Sequence, residues 1–347
     1  MRRLAPLLAV LLTAGACSSG ESTTTTATTS LGATTPTSRS DRAQTSVDLT
    51  VTDVATGLDT VWAMKFDAEG KLWFTQRGGR LQQLDGPGRD IPGVVEQGEG
   101  GLMGLELDDA GRIYVMMTTR EDNRIVRFDH QDADPVVVVS GLRKAAIHNG
   151  GRLRFGPDGT LYAGTGDSGD TSLPPRGDSL NGKILAIDTS TARTTIFTKG
   201  HRNPQGLCFT GNGRFLSTEH GPERGDEVNV VDRGRDYGWP DSTGNGIKNW
   251  TPTIAPAGCA VYEADAIPQW KGSLLVVTLK EQDLRRLTFA ADGSVSGEEI
   301  LYDGTYGRLR DVAVAPDGSV YLATSNRDTR GDARAGDDRI LRIEPKP

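Results

Sequence analysis

Four basic residues could bind one anionic guest: Arg202 in His201-Arg202-Asn203-Pro204-Gln205-Gly206, Lys280 in Thr278-Leu279-Lys280, and Arg308 with Arg310 in Gly307-Arg308-Leu309-Arg310-Asp311. They lie far apart in sequence, yet each falls at the start or end of a strand in a repeated module. A closed ring of such modules would bring them to one central pocket. Guanidinium pairs donate charge-assisted, often bidentate hydrogen bonds to carboxylates, so the set suits a guest carrying several of them. Upstream, His148 in His148-Asn149-Gly150-Gly151 offers a proton acceptor for the same pocket, since histidine exchanges protons near neutral pH. Asp167, at the end of the next strand of the same module, could orient the imidazole. A histidine that only caps a strand is the competing reading of that position.

Two further motifs need weighing. The run Thr218-Glu219-His220-Gly221-Pro222-Glu223-Arg224-Gly225-Asp226-Glu227-Val228-Asn229 is dense in oxygen ligands on a loop, which suits a hard cation such as calcium. Solvated charge on a long loop is the plainer account. His130, His201 and His220 lack zinc-like spacing. Gly164-Thr165-Gly166-Asp167-Ser168-Gly169 fits the dinucleotide pattern, but Pro174-Pro175 and the missing apolar periodicity leave no helix to meet a pyrophosphate. Nicotinamide binding is therefore excluded.

The elements that must carry these residues recur six times as a Gly turn followed by a short alternating strand. They are Ala68-Glu69-Gly70-Lys71-Leu72-Trp73, Asp109-Ala110-Gly111-Arg112-Ile113-Tyr114, Pro157-Asp158-Gly159-Thr160-Leu161-Tyr162, Gly211-Asn212-Gly213-Arg214-Phe215-Leu216, Trp270-Lys271-Gly272-Ser273-Leu274-Leu275 and Pro316-Asp317-Gly318-Ser319-Val320-Tyr321. Asp-Gly and Asn-Gly pairs are hairpin turns, and period two with β-branched residues marks strands. A repeat of about 50 residues suits a four-stranded blade. The expected fold is all-β, a six-bladed β-propeller of four-stranded antiparallel sheets. Val47 to Val54 reads as an extra strand that completes the last blade and closes the ring, hiding both sheet edges. Cys208 and Cys259 fall early in the innermost strands of neighbouring modules, where a disulfide or two buried thiols are both open.

The chain has 347 residues and a formal net charge of −7, which argues against a nucleic-acid partner. Residues 1–16 are a basic start, an apolar run and small residues, which is a signal peptide pattern. Cys17 after Ala14-Gly15-Ala16 resembles a bacterial lipoprotein cleavage box, with ordinary signal cleavage nearby as the alternative. Residues 17–46 then read as a lipidated Cys and a disordered Thr/Ser-rich tether, too poor in apolar groups to fold. Residues 47–347 form the folded domain. An exported protein on the outer face of the cytoplasmic membrane, or secreted, is the expected location.

Six ordered motifs resemble the soluble pyrroloquinoline-quinone (PQQ) sugar dehydrogenases, in particular the aldose sugar dehydrogenases of the glucose/sorbosone dehydrogenase group. They are Gly98-Glu99-Gly100-Gly101-Leu102-Met103-Gly104, His148-Asn149-Gly150-Gly151, Gly200 to Gly206, Glu219 to Pro222, Tyr237-Gly238-Trp239-Pro240 and Arg308-Leu309-Arg310-Asp311, within a resemblance spanning Gly57 to Ile343. It implies PQQ and Ca2+ as cofactors, with His148 as general base supported by Asp167. It implies that Glu99, Arg202, Asn203, Gln205, Lys280, Arg308 and Arg310 hold the quinone. The carbonyls of Gly221 and Pro222 would hold a catalytic calcium, Glu227 and Tyr237 a structural one, and Trp250 would wall the sugar pocket. The implied reaction oxidises an aldose at its anomeric carbon to a lactone. Electrons leave to an external quinone or cytochrome, since no Cys-x-x-Cys-His attaches a haem. Glucose-oxidising members carry an amide at the Glu99 position, an acid at Ile147 and a Tyr where this chain has Ile247, which leaves sugar preference open. Their long dimer-contact loops are absent, so a monomer is expected.

Two rivals remain at this level. A non-catalytic ligand-binding propeller would have lost the histidine or the paired arginines. A calcium-dependent lactonase-type hydrolase could recruit Glu99, Asn149, Asn203 and Asp167 as ligands, but leaves the basic cluster without a task.

Overall fold

The computed structural model describes residues 46–347. The segments expected to be a signal peptide, a lipidated Cys17 and a tether lie, up to residue 45, outside the described residues. Twenty-four strands form six four-stranded antiparallel sheets. Blade 1 is β2–β5, running from Val61–Phe66 to Gly88–Asp90; blade 2 is β6–β9, from Leu102–Leu107 to Val136–Leu142. Blade 3 holds β10 (Gly150–Phe155), β11 (Leu161–Thr165), β12 (Lys183–Asp188) and β13 (Arg193–Lys199). Blade 4 holds β14 (Pro204–Phe209), β15 (Phe215–Glu219), β16 (Asp226–Val230) and β17 (Lys248–Trp250). Blade 5 is β18–β21, from Pro256–Tyr262 to Val295–Leu301. Blade 6 joins β22 (Leu309–Val314), β23 (Val320–Thr324) and β24 (Ile340–Pro345) to β1 (Leu49–Ala55). The N-terminal strand thus closes the ring, pairing Leu49 through Ala55 with Pro345 through Ile340.

The glycine turns do what their sequence dictates. In five blades the turn glycine donates its N–H three residues back, as Gly111 does to Asp108 O (2.9 Å) and Gly318 to Ala315 O (2.9 Å). Blade 5 departs, because a short 3-10 turn, Pro268–Trp270, is inserted before Gly272 bonds back to Tyr262 O. Aromatic residues that follow the turns fill the seams between blades. Tyr114 meets Phe155 edge-on at 5.3 Å, Tyr162 meets Phe209 at 5.8 Å, and Tyr321 meets Phe66 at 5.1 Å. The blade 4–5 seam is instead clamped by a Cys208–Cys259 disulfide, with Cα atoms 6.1 Å apart.

Each innermost strand begins with a break in register against its neighbour: Val61/Ala63, Leu102/Leu105, Gly150/Leu153, Pro204/Gly206, Pro256/Cys259 and Leu309/Asp311. A bulge leaves a residue unpaired and re-aims its side chain. The residues so released include Trp62, Gln205 and Arg310, which line one cavity, and Arg152, which pairs with Asp311.

The β11–β12 connection, residues 166–182, is the long loop that carries Asp167. It is organised by Lys183, fully buried, whose ammonium donates to the carbonyls of Asn181 (2.7 Å), Pro174 (2.9 Å) and Leu173 (3.0 Å). Asn181 fixes the loop's other side by donating to Gly166 O and Arg143 O. Replacing Lys183 by Met removes all three of these bonds, although Leu173 O and Pro174 O keep the Arg176 and Gly200 N–H groups (3.2 Å each), so Lys183→Met should cost about 3 kcal/mol of stability. Urea unfolding curves of the two proteins check this, and equal midpoints would refute the role.

Candidate active site

His148 stands two residues before Gly150, where β10 and its bulge begin, with φ +55°. A non-glycine residue in that region is strained by about 1–3 kcal/mol and is held there only by its surroundings. Here the backbone N–H of His148 donates to Glu99 Oε2 (2.7 Å), and its Nδ1 meets Asp167 Oδ1 at 2.8 Å. A carboxylate at Nδ1 keeps the proton on that nitrogen, leaving the Nε2 lone pair to accept another. Asp167 is itself buried. Burial pushes its carboxyl up, but His148, the Gly169 N–H (2.7 Å) and the Trp239 indole N–H (2.9 Å) together hold it below the ordinary value. The glycine pattern that mimics a dinucleotide site has another cause. A Cβ on Gly166 would lie 1.9 Å from His148 O, so the histidine's backbone can cross there only over a glycine.

Opposite this pair stands a cationic wall. Arg310 donates to Gln205 Oε1 (3.0 Å), and Gln205 Nε2 donates to Asn203 Oδ1 (3.1 Å), which also accepts the Gly150 N–H. Arg308 lies behind, donating through Nε (3.1 Å) and Nη2 (2.9 Å) to Asp328 Oδ2 and through Nη1 to Leu279 O. Arg310 Nη2 reaches the same oxygen at 3.6 Å. Burial, with Arg308 adding repulsion against the pull of Asp328, lowers Arg310 to about 10. Arg202 bonds His220 O (3.3 Å) and lies over the Trp239 ring at 5.4 Å. The Nε atoms of Arg202 and Arg310 are buried without a hydrogen-bond partner. Such donors are costly unless an acceptor arrives, which is what a site built for an anion looks like. Lys280 stands apart: it is exposed and its ammonium bonds Thr253 Oγ1 (3.1 Å), while its neighbour Leu279 lines the cavity.

Trp62, Asn149, Asn203, Gln205, His220 and Arg310 enclose a small cavity here. Burial lowers His220 to about 3, so a neutral imidazole faces this cavity. Across the rim Arg330 bridges to Glu99 Oε1 (2.7 Å), joining the β23–β24 loop to the loop before β6. With that bar in place the free space is about 20 Å³, enough for one water. A roomier apolar cleft, about 380 Å³, lies by Val94, Met117 and Val137 at the outer strands of blades 1 and 2, but it contains none of the groups above.

Gly221 is buried and Pro222 exposed on the β15–β16 loop, where the Gly221 N–H donates to Asp226 Oδ1 (2.7 Å). Among the described residues no three of His, Cys, Asp and Glu stand together as metal ligands. Glu227 faces Glu219 across the β15–β16 pair, and burial first, then Glu219, pushes its carboxyl up. Next along that pair Ser217 opposes Asn229, and Ser217 Oγ and Asn229 Oδ1 are both buried without partners. Tyr237 stacks on His201 at 4.5 Å, and its hydroxyl is committed to Val230 O. Trp250 requires a correction. It was expected to wall the substrate pocket, but it sits on the outermost strand of blade 4. There it is buried in a core with Leu216, Val228 and Leu274, and its indole donates to Glu298 (2.7 Å).

Arg330, Asp328, Trp62, Trp239 and His220 escaped the sequence reading as site residues. His220 and Trp239 lie inside quoted motifs, whereas Arg330 and Asp328 sit on a loop with no strand pattern to register them.

The fold and site define a six-bladed propeller with a hydrogen-bonded histidine–aspartate pair next to a cavity lined by Arg310 and Arg330. The Glucose / Sorbosone dehydrogenase family model matches residues 58–334, and the chain belongs to that family. A PQQ-bound aldose sugar dehydrogenase structure from Streptomyces coelicolor superposes with TM-score 0.78 at 35% identity, covering 86% of this chain and 99% of that one. The chain is also 29% identical to aldose sugar dehydrogenase YliI of Escherichia coli, over 83% of this chain and 91% of the relative. Quinoprotein glucose dehydrogenase B of Acinetobacter calcoaceticus is 24% identical, over 85% and 88%.

Glu99 yields a pH test. Burial raises its carboxyl, but the His148 N–H and Arg330 outweigh that and hold it below its ordinary 4.5. A depressed folded pKa gives stability that is present above the unfolded value and lost as pH falls through the folded one. The stability gap between wild type and Glu99→Gln, about 1–2 kcal/mol at pH 7, should therefore close below about pH 4. Thermal midpoints of both proteins from pH 3 to 7 measure it; a gap that persists in acid would rule out the ionic account.

Proposed function

We propose that this chain is a PQQ- and Ca2+-dependent dehydrogenase that oxidises aldoses at the anomeric carbon to lactones. One observation carries the reading: a histidine oriented by a buried aspartate directly precedes Asn149 and Gly150 of a cavity lined by Arg310, and the Nε atoms of Arg202 and Arg310 are buried without acceptors among the described residues. The donor set fits a tricarboxylate. Arg202, Asn203, Gln205, Arg308 and Arg310 would hold it, and Lys280 would turn from Thr253 on its flexible stem to join them. Asp328 alone offsets Arg308 and Arg310, so the wall keeps net positive charge for a guest. When bound, PQQ would supply a hydride acceptor, and the carbonyls of Gly221 and Pro222 would hold the calcium that polarises it.

The chain's own residues then move the proton. His148 Nε2 accepts it from the anomeric hydroxyl while the hydride leaves that carbon, and Asp167 stabilises the resulting imidazolium. Glu99 fixes the His148 backbone, and Arg330 pairs with Glu99 at the rim. Two electrons pass from the enzyme to an external quinone or cytochrome. A structural calcium at Glu227 and Tyr237 is supported by the buried, partnerless oxygens of Ser217 and Asn229. Since the Tyr237 hydroxyl is engaged, its carbonyl is the donor left. The lactonase alternative loses two ligands, because the side-chain oxygens of Asn149 and Asn203 already accept protein N–H groups.

Export, a lipid anchor at Cys17 and a monomeric state belong to the same proposal. Among the described residues no helix is long and apolar enough to cross a membrane.

Apo-protein given PQQ and Ca2+ should reduce a dye with an aldose such as glucose. His148→Ala should lose on the order of 10²–10⁴-fold in kcat, yet quench tryptophan fluorescence with PQQ at the wild-type midpoint. No turnover across a broad aldose panel, or full activity in that variant, would refute the proposal.

A further inference from the structure

We propose that Trp239 is a positioning residue for the base, the third member of a His148–Asp167–Trp239 chain. The inference rests on His148 acting as proposed above. Asp167 Oδ1 accepts from His148 Nδ1 (2.8 Å) and from the Gly169 N–H (2.7 Å). Its Oδ2 has one hydrogen-bond donor among the described residues, the Trp239 indole at 2.9 Å. Donors on both oxygens fix the rotation of the carboxylate about its Cβ–Cγ bond. Without the indole, Oδ2 is a buried charged atom with no partner, and the carboxylate turns to find one. The imidazole then loses the acceptor that sets its tautomer.

The indole is brought from another blade by built contacts. Trp239 lies on the β16–β17 loop of blade 4, while His148 and Asp167 belong to blade 3. The loop is laid along the end of β13. Tyr237 N donates to Lys199 O (2.9 Å) and Trp239 N to Gly200 O (3.0 Å). Gly200 takes φ +75°, and a Cβ there would lie 2.2 Å from Asp236 Oδ1 and 2.6 Å from Gly238 N, so this docking tolerates only glycine. Arg202 of the anion wall lies over the indole ring. Trp239 therefore spans the two halves of the site, with its N–H on the base and its face under a cation. It is half-buried, whereas Trp250 is committed to the interblade core.

Trp239→Phe keeps an aromatic ring and removes the N–H. With PQQ and Ca2+ it should lower kcat about tenfold while KM for the aldose stays within about twofold. In apo-protein the 15N resonances of His148 should move from the Nδ1–H tautomer toward a mixture of both. Unchanged kcat with unchanged tautomer shifts overturns the inference, as does a tenfold rise in KM at constant kcat, which would make Trp239 a sugar wall. If that variant does not fold, Asp167→Ala serves: the Trp239 indole N–H signal must move, and a fixed signal overturns the inference. The nitrogen shifts need no turnover. A tautomer change in a protein that oxidises no aldose would therefore sink the dehydrogenase reading and leave the Trp239 coupling standing.

Discussion

A buried ion pair across the propeller axis is the floor on which the site stands. Arg152 of β10 meets Asp311 of β22 at 3.0 Å, with both side chains buried. Arg152 also donates to Gln205 O (2.7 Å) and lies 4.6 Å over the Trp62 ring, while Asp311 Oδ2 accepts the Met64 N–H (2.7 Å). Blades 1, 3, 4 and 6 thus meet at two charges. Burial pushes the Asp311 carboxyl up even with Arg152 beside it, so the pair is not there for net stability. It sets geometry, since breaking one partner of such a pair costs about 3–5 kcal/mol. The penalty locks the inner strands to one another, and the backbone that carries Gln205 and Arg310 is locked with them.

The bulges convert this floor into a wall. In a regular strand Arg310 and Asp311 would point to opposite faces of the sheet. The register break at Leu309/Asp311 releases Arg310 from pairing, so consecutive residues serve the cavity and the floor together. Gln205 gains its place the same way between Pro204 and Gly206, as does Trp62 between Val61 and Ala63. One backbone irregularity, repeated around the ring, supplies Trp62, Gln205 and Arg310 to the cavity lining.

This explains which parts were legible in sequence. The blades could be read because Asp-Gly and Asn-Gly turns and period-two strands are local signals, and ring closure followed from an unpaired N-terminal strand. His148, Asp167, Arg202 and Arg310 could be read because each sits at a strand end within a motif. Trp250 misled because a motif places a residue along the chain but not on a face; its strand is outermost, so its indole fills the seam toward blade 5. Lys280 was placed by strand position too, yet its stem lies outside the cavity. Asp328 and Arg330 were invisible, because a loop between β23 and β24 gives no periodic cue to what it crosses.

Those two residues decide the electrostatics of the pocket. Asp328 accepts from Arg308, Ser325 and the Arg330 backbone N–H, so it ties the rim loop directly to the anion wall. Arg330 in turn neutralises Glu99, whose other oxygen holds the backbone of His148. An arriving anion therefore meets a connected set of charges. Its carboxylates compete with Asp328 for two guanidiniums and with Glu99 for a third. Any shift in that competition reaches the strained backbone of the base through a single carboxylate. Within an overall acidic chain, Asp328, Arg330 and Glu99 thus tie the rim loop, the arginines and the His148 backbone into one electrostatic network.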